Sequence, residues 1–136
     1  FNGHSKNFYS VAQHSVLVSQ QVPKDYQLAA LLHDASEAYI GDVTRPLKYM
    51  DVMSDYRIIE DNLMYVIAEK FKFQYPFDPS IKEADNKLLF TEKRDLLNYL
   101  DWNYEIEPYD FIIKPLLPRL AEEQFIREFT LLNKWW

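Results

Sequence analysis

The sequence contains no cysteine, so neither a disulfide bond nor a thiolate metal site can form. Glycine occurs only twice, at Gly3 and Gly41, which leaves no Gly-rich loop for binding phosphate. No apolar run is long enough to span a membrane and no signal peptide is visible, so we expect a cytoplasmic protein without membrane contact. The first residue is Phe1 rather than Met, and we expect a short segment to precede it.

Basic residues are scarce relative to acidic ones, 15 against 21, which gives a formal net charge of −6. A nucleic-acid polymer is therefore not an expected partner, because binding to its phosphate backbone needs a basic surface. A nucleotide substrate remains compatible with this charge, since a metal ion and a few local cations can hold one phosphate group. With 48% hydrophobic residues, the 136-residue chain is predicted to form one domain over residues 1–136 with a core of its own.

The pattern along the chain predicts an all-α fold, because no alternation of apolar and polar residues lasts for the length of a strand. We expect a single helical bundle of about five to six helices. Ser10 and Gln13 match a capping box at the start of the first helix, and Ser80 is expected to cap the fourth. The predicted helices span about 10–21, 24–39, 54–70, 80–99 and 119–134, with a loop at 42–48 and an irregular stretch at 101–118.

Two strong metal-binding side chains, His33 and Asp34, are adjacent at the end of an apolar helical stretch. With His14 upstream and Asp85 downstream they follow the order H…HD…D. The set offers two imidazole nitrogens and two carboxylates, which suits one divalent metal ion such as Mn, Co, Mg, Ni or Zn. Each residue taken alone also fits a packed or solvated side chain, so the prediction depends on the whole set. Positions left open on the ion would serve metal-assisted hydrolysis.

Glu37 lies one helical turn beyond His33 and Asp34 and shares their predicted helix face. Its carboxylate is a candidate to take a proton from an attacking water or to give one to a leaving oxygen. Asp42 follows in the next loop, where it either orients the water or begins a turn. Arg45 and Lys48 are the nearest cations in sequence and are candidates to neutralise substrate phosphate, although loop cations are usually solvated.

Two longer runs resemble the HD-domain metal-dependent phosphohydrolases. These runs are YSVAQHS at residues 9–15 and ALLHDASEAYIGDVTRPLK at residues 30–48. They look most like the small bacterial 5′-deoxynucleotidases and their phage and prophage relatives, some of which are dATP triphosphohydrolases. The clear match covers residues 3–50 and 81–95, and the run from Leu31 to Lys48 is far more specific than the His-Asp dipeptide alone.

The resemblance implies an all-helical HD phosphohydrolase domain that forms a homo-oligomer, a dimer or larger. It implies that the metal ligands are His14, His33, Asp34 and Asp85 and that Glu37 and Asp42 act on the water and the leaving group. An Arg-Trp pair that helps the deoxynucleotidases to read deoxyribose would fall at or before Phe1. The aromatic stretch 99–111 and the pair Trp135-Trp136 would serve subunit contacts or pack on their own core.

The leading functional hypothesis is metal-dependent hydrolysis of a deoxynucleotide phosphate, with a dATP-type triphosphohydrolase favoured by the phage-like sequence context. The alternative is a 5′-deoxynucleotidase that releases phosphate from dNMPs. A triphosphate would need cations beyond Arg45 and Lys48, and the candidates are Lys6, Lys87, Arg94 or groups from a partner subunit.

Two further classes are weaker hypotheses. A signalling-nucleotide phosphodiesterase often carries extra histidines for a second metal, and here only His4 remains. In a non-catalytic module the metal would be structural, and the presence of Glu37 and Asp42 argues against this class.

Overall fold

The computed structural model describes residues 5–97 and 105–133, except for the side chain of Arg45. Over these residues the chain is all-α and has no strand, so the predicted fold class is confirmed. The α-helices are α1 (Val11–Ser19), α2 (Gln27–Leu31), α3 (Glu37–Ile40), α4 (Arg45–Lys48), α5 (Ser54–Phe71), α6 (Pro79–Leu96) and α7 (Pro118–Leu132). Two 3-10 turns lie at Lys24–Tyr26 and Asp51–Met53. None of the described helices is long and apolar enough to cross a membrane.

The hydrophobic core lies where α1, α2 and α6 meet the segment that precedes α7. Its buried members are Val18, Val22, Ala29, Ala30, Ile81, Ala84, Leu88, Leu96 and Ile113. The three alanines are small, and small side chains let neighbouring helices approach closely while the interior stays close-packed. His14 lies one helical turn before Val18, and Asp85 lies one turn before Leu88. The same core therefore positions both helices that carry candidate metal ligands.

The predicted capping box is confirmed, because the side chain of Ser10 accepts a hydrogen bond from the backbone N–H of Gln13 at 3.1 Å. The third predicted helix is also confirmed as α5. The fourth begins at Pro79 rather than after Ser80, and its N-cap is Asp78, whose carboxylate accepts from the N–H of Ser80. Proline is well suited to the first helical position, where an N–H has no partner within the helix.

The second predicted helix, over 24–39, is wrong as one continuous element. Residues 32–36 form turns between α2 and α3, with hydrogen bonds from Ala35 N–H to the Leu32 carbonyl and from Glu37 N–H to the Asp34 carbonyl, both at 3.0 Å. In a continuous α-helix the carbonyl of Ala30 would accept from the N–H of Asp34. Here it accepts from Nδ1 of His33 at 2.7 Å and from the backbone N–H of His33 at 3.4 Å. Two bonds from His33 thus take the place of the helical hydrogen bond from Asp34.

The loop predicted at 42–48 is partly wrong, because its second half forms α4, with a hydrogen bond from Lys48 N–H to the Thr44 carbonyl at 2.9 Å. Pro46 is the second residue of this helix, where its missing N–H costs no hydrogen bond. The last helix begins one residue before the prediction, at Pro118, and ends at Leu132. The fourth predicted helix is too long at its end, because α6 ends at Leu96 and Leu97 is extended, with φ −102° and ψ 148°, rather than helical to about Tyr99. The pair Trp135-Trp136 lies outside the described residues.

The stretch before α7 is irregular as predicted over its described part, and side chains of α6 and α1 hold it in place. The Arg94 guanidinium donates to the backbone carbonyls of Tyr109 at 2.7 Å and Phe111 at 2.6 Å. The carboxylate of Asp95 accepts from the N–H of Ile113 at 2.7 Å, and from Arg94. These bonds satisfy a backbone that has no helical partners, and they let Ile113 enter the core.

We expect the substitution Asp95→Asn to lower the free energy of unfolding at neutral pH by about 1–3 kcal/mol, because charge-assisted hydrogen bonds are lost. Burial alone would raise the pKa of Asp95, but the hydrogen bonds from Arg94 and Ile113 hold it below its usual value. Stability from this carboxylate is therefore present above about pH 4 and is lost as pH falls through the native pKa. Urea unfolding of wild type and variant at several pH values measures the difference.

The matched control is Asp110→Asn, which removes an exposed carboxylate from the same irregular stretch. The control should unfold like the wild type at every pH. A stability loss in Asp95→Asn that stays constant from neutral pH into the acid range would contradict this account.

Candidate metal centre

Three predicted ligands, His14, His33 and Asp34, come together at one place. One ligand atom from each lies within 4.8 Å of the others, so the group can hold a metal ion. Nε2 of His14 is 3.4 Å from Nε2 of His33 and 3.7 Å from Oδ2 of Asp34. Nε2 of His33 is 3.3 Å from Oδ1 of Asp34. Nitrogen and oxygen atoms at these separations match neighbouring ligands around a single divalent ion.

Both imidazoles are oriented by a hydrogen bond at the ring nitrogen that faces away from this group. Nδ1 of His33 lies 2.7 Å from the carbonyl of Ala30, and Nδ1 of His14 lies 2.6 Å from Oε1 of Glu92. A carbonyl or a carboxylate can only accept, so each Nδ1 is the protonated donor nitrogen. In the neutral tautomer that these acceptors select, Nε2 is left with a lone pair. Both Nε2 atoms are therefore available as metal ligands.

Asp85 reaches the site from α6. Its Oδ1 lies 3.5 Å from Nε2 of His14, while its Oδ2 accepts from Nζ of Lys82 at 3.0 Å. Asp85 does not belong to the tighter group of three in which every pair of ligand atoms is close. Asp85 thus contacts the predicted site at His14, while its second carboxylate oxygen is bound by Lys82.

Glu92 is a site residue that the sequence reasoning missed. It is 2% exposed, and its Oε1 also accepts from the hydroxyl of Tyr9 at 2.7 Å. The chain Tyr9–Glu92–His14 gives the histidine ligand an outer partner, as in many metal sites where a carboxylate orients the imidazole. A signal was available, because Glu92 follows Asp85 by seven residues on α6 and therefore lies on the same helix face two turns on.

The electrostatics of the site favour positive charge at the point where the ligand atoms meet. Burial alone would lower the pKa of His14, but hydrogen bonds to Asp85 and Glu92, with the charges of Glu92 and Asp34, raise it to about 10. Burial alone would raise the pKa of Asp85, yet its hydrogen bond with His14 and the nearby His33 and Lys82 hold it below its usual range. A proton on His14 thus supplies the positive charge that offsets the surrounding carboxylates, as a bound cation would.

The ligand group opens into a cleft of about 590 Å³. Glu37, Asp42 and Lys48 line this cleft together with the ligands, so the structure brings these predicted residues to one place. Arg45 begins α4, and its side chain lies outside the described part of the structure. Lys6 does not line the cleft. Its N–H donates to the carbonyl of Leu96, eleven residues or about 16 Å along α6 from Asp85.

Two other cations considered for a triphosphate are engaged away from the cleft. Nζ of Lys87 lies 4.7 Å from the ring centroid of Tyr109, and Arg94 binds the backbone of the irregular stretch. Within the cleft, Lys48 pairs with Glu60 at 2.5 Å. Arg57 donates to the carbonyls of Lys48 at 2.7 Å and Met50 at 3.0 Å. Sequence reasoning missed Glu60 and Arg57, which come from α5 and meet α4 only in the folded chain.

Glu37 lies at the start of α3, where its N–H bonds to the carbonyl of Asp34 at 3.0 Å. Burial, followed by the charges of Asp34 and Asp42, raises the pKa of Glu37 to about 7, with Lys48 acting in the opposite direction. A carboxyl group with a pKa in this range exchanges protons readily at neutral pH. The arrangement can therefore supply a proton donor or acceptor beside the group that can hold a metal.

The comparisons with known proteins identify no function, so the functional argument depends on the site. No family model matches the chain. It is 46% identical over 96 residues to the uncharacterized protein YfdR of Escherichia coli K12, covering 71% of this chain and 53% of YfdR. It is 34% identical over 83 residues to the uncharacterized protein RCAP_rcc00048 of Rhodobacter capsulatus, covering 56% of this chain and 42% of that protein. The chain thus spans about half the length of the curated relatives it matches.

We expect Glu92→Gln to weaken binding of Mn²⁺ or Co²⁺ by about 10- to 100-fold, the usual cost of losing a carboxylate behind a histidine ligand. The amide keeps the shape of the side chain but removes the charge that orients His14. Isothermal titration calorimetry on the metal-stripped protein measures the dissociation constant. Glu83→Gln, an exposed position on the same helix, is the control and should bind like the wild type. If Glu92→Gln binds the metal as tightly as the wild type, Glu92 does not contribute to metal binding.

Proposed function

We propose that the protein is a cytoplasmic, divalent-metal-dependent phosphohydrolase of the HD-domain type that acts on deoxynucleotide phosphates. One observation carries the proposal: Nε2 of His14, Nε2 of His33 and the carboxylate of Asp34 converge in the wall of a cleft. The resemblance of residues 9–15 and 30–48 to HD phosphohydrolases supports the same reaction class. In this proposal Asp85 completes the ligand set, with its Oδ1 3.5 Å from Nε2 of His14.

The ligand set of nitrogen and oxygen atoms suits Mn, Co, Mg, Ni or Zn. When bound, such an ion lowers the pKa of a water molecule and polarises a phosphoryl oxygen. His14 and His33 would bind the ion as neutral imidazoles, so the extra proton that the raised pKa keeps on His14 would leave when the cation arrives. Glu92 and the carbonyl of Ala30 keep the two rings in the orientation that binding requires.

Glu37 and Asp42 would act on the reacting groups at the cleft surface. The carboxylate of Glu37 takes the proton of the attacking water or gives one to the leaving oxygen. Asp42 lines the same cleft and orients the water. Lys48 neutralises substrate phosphate, and to do so it must exchange its ion pair with Glu60 for the phosphate.

The choice between triphosphate and monophosphate substrates has support on both sides. The phage-like sequence context favours a dATP-type dNTP triphosphohydrolase. The charge of the cleft favours the second candidate, a 5′-deoxynucleotidase, because the described lining carries seven carboxylate residues and three Lys or Arg side chains. Those three cations, Lys48, Arg57 and Lys82, are already engaged by oxygen atoms of the protein. A triphosphate carries more negative charge than a monophosphate and needs more cations to offset it.

The resemblance also supports a homo-oligomer, a dimer or larger, as the functional form. Apolar side chains on α5 are available for such contacts, because Ile58, Ile59 and Val66 are each more than half exposed. The net charge of −6 disfavours a nucleic-acid polymer as a partner and is compatible with a deoxynucleotide held by a metal ion.

We expect the metal-stripped protein to be inactive and to hydrolyse deoxynucleotides once Mn²⁺, Co²⁺, Mg²⁺, Ni²⁺ or Zn²⁺ is restored. Chromatography of the products separates the two candidates. Deoxynucleoside plus triphosphate from a dNTP establishes the triphosphohydrolase, and deoxynucleoside plus orthophosphate from a dNMP establishes the deoxynucleotidase. No turnover of dNTPs, dNMPs or NMPs with any of these metals would refute the proposed function.

We expect Glu37→Gln to reduce the turnover number by about 10²- to 10⁴-fold, the range for removal of a general acid or base. The dissociation constant of the metal should stay unchanged, because Glu37 lies outside the ligand group. Glu69→Gln, an exposed position on α5 away from the cleft, is the matched control and should retain full activity. Retained turnover in Glu37→Gln would exclude Glu37 from proton transfer.

A further inference from the structure

One part of the cleft is aromatic rather than acidic. Tyr75 and Phe77, which we call the aromatic wall, precede α6 and line the cleft together with Met64 of α5. Their rings meet edge to face at a centroid distance of 4.8 Å. Tyr65 also packs on Tyr75 edge to face, at a centroid distance of 4.8 Å. These contacts fix the ring of Tyr75 at the cleft, and fixed aromatic rings are suitable surfaces for stacking a planar ligand.

The aromatic wall shares the cleft with the candidate metal centre. Ile81, Asp85 and Leu89 are spaced by four residues and all line the cleft, so they share one face of the helix. Ile81 is one turn before Asp85, about 6 Å along the axis, and Phe77 lies two residues before the helix begins. Because the wall and the group of His14, His33 and Asp34 line the same cleft, a nucleotide with its phosphate at that group can place its base at the wall.

Asp61 of α5 contacts the aromatic wall at Tyr75. Its Oδ1 accepts a hydrogen bond from the hydroxyl of Tyr75 at 2.5 Å, and Asp61 lines the cleft. Burial and this bond to Asp61 raise the pKa of Tyr75, which keeps the hydroxyl a donor. The second oxygen, Oδ2, has no hydrogen bond to the described residues. A carboxylate oxygen can only accept, so it attracts an N–H and repels a carbonyl oxygen.

We propose that the aromatic wall and Asp61 form a base-binding subsite that selects deoxynucleotides whose base carries an exocyclic amino group. Adenine and cytosine present an amino group where hypoxanthine and uracil present a carbonyl oxygen. The wall stacks the base, and Oδ2 of Asp61 accepts from the amino group. This inference rests on the proposed function, because the phosphate must be held at the candidate metal centre.

The test compares two matched substrate pairs that differ only in this group, dATP with dITP and dCTP with dUTP, or their monophosphates if those are the substrates. For the wild type we expect the amino-bearing member of each pair to have a kcat/KM about 10- to 100-fold higher, the ratio for a hydrogen bond to a charged group. In Asp61→Asn, Tyr75 still donates to the side-chain carbonyl, which turns the amide N–H toward the base. The preference should therefore reverse in both pairs.

Asp55→Asn is the matched control, because Asp55 is exposed on the same helix and does not line the cleft. It should keep the wild-type preference. Tyr75→Ala should raise KM for every nucleotide with little change in kcat and in metal affinity, since the stacking surface is lost while the metal ligands remain. Equal kcat/KM within both pairs for the wild type, or an unchanged preference in Asp61→Asn, overturns the subsite while the proposed hydrolysis stands.

A separate measurement keeps the two proposals distinguishable if no nucleotide is hydrolysed. Deoxyadenosine and deoxyinosine are titrated into the metal-stripped wild type, and the aromatic ring resonances of Tyr75 are followed by NMR. Preferential binding of deoxyadenosine that shifts these resonances, and that Asp61→Asn reverses, supports the subsite although the proposed hydrolysis has failed. Equal binding of the two nucleosides, or binding that leaves the Tyr75 ring unaffected, overturns the subsite.

Discussion

The hydrogen bond between Nδ1 of His33 and the carbonyl of Ala30 is the interaction on which the site depends. The same carbonyl also accepts from the backbone N–H of His33 at 3.4 Å, at the point where α2 ends and the chain turns before α3. The bond from Nδ1 fixes the imidazole so that Nε2 points to His14 at 3.4 Å. The same bond thus lies at the break between the helices and orients an imidazole that can hold a metal ion. A continuous helix would instead place His33 and Asp34 about 100° apart around its axis.

The second constraint is electrostatic. Asp34, Asp85 and Glu92 surround two imidazoles in a partly buried place, and carboxylates held this close repel each other unless positive charge lies between them. In the protein alone, protonation of His14 supplies that charge, which explains why its pKa rises in spite of burial. A divalent cation supplies more charge and needs the imidazole neutral. A proton and a metal ion would therefore compete for the same imidazole nitrogen of His14.

Much of the fold could be predicted from sequence because its signals are local. The capping box at Ser10 and the apolar spacing of α5 involve neighbouring residues, and both predictions are confirmed. The break at 32–36 could not be predicted, because periodicity favours a continuous helix and the competing bond runs from the His33 side chain to the carbonyl of Ala30, three residues earlier. Glu60 lies on α5 and Lys48 on α4, so their ion pair depends on how the two helices pack, and no pattern in the sequence predicts it.

The two sides of the cleft are built with different rigidity. Helix α6 buries six of its residues, including Leu88 and Glu92, whereas α5 of equal length buries only Met64, Ile67 and Ala68. The ligands of α1 and α6 are therefore tied to the core, and the α5 side, which carries Asp61, has few apolar contacts to restrain it. Local stability follows burial, so the α1 and α6 side, which carries His14 and Asp85, is the more firmly held wall of the cleft.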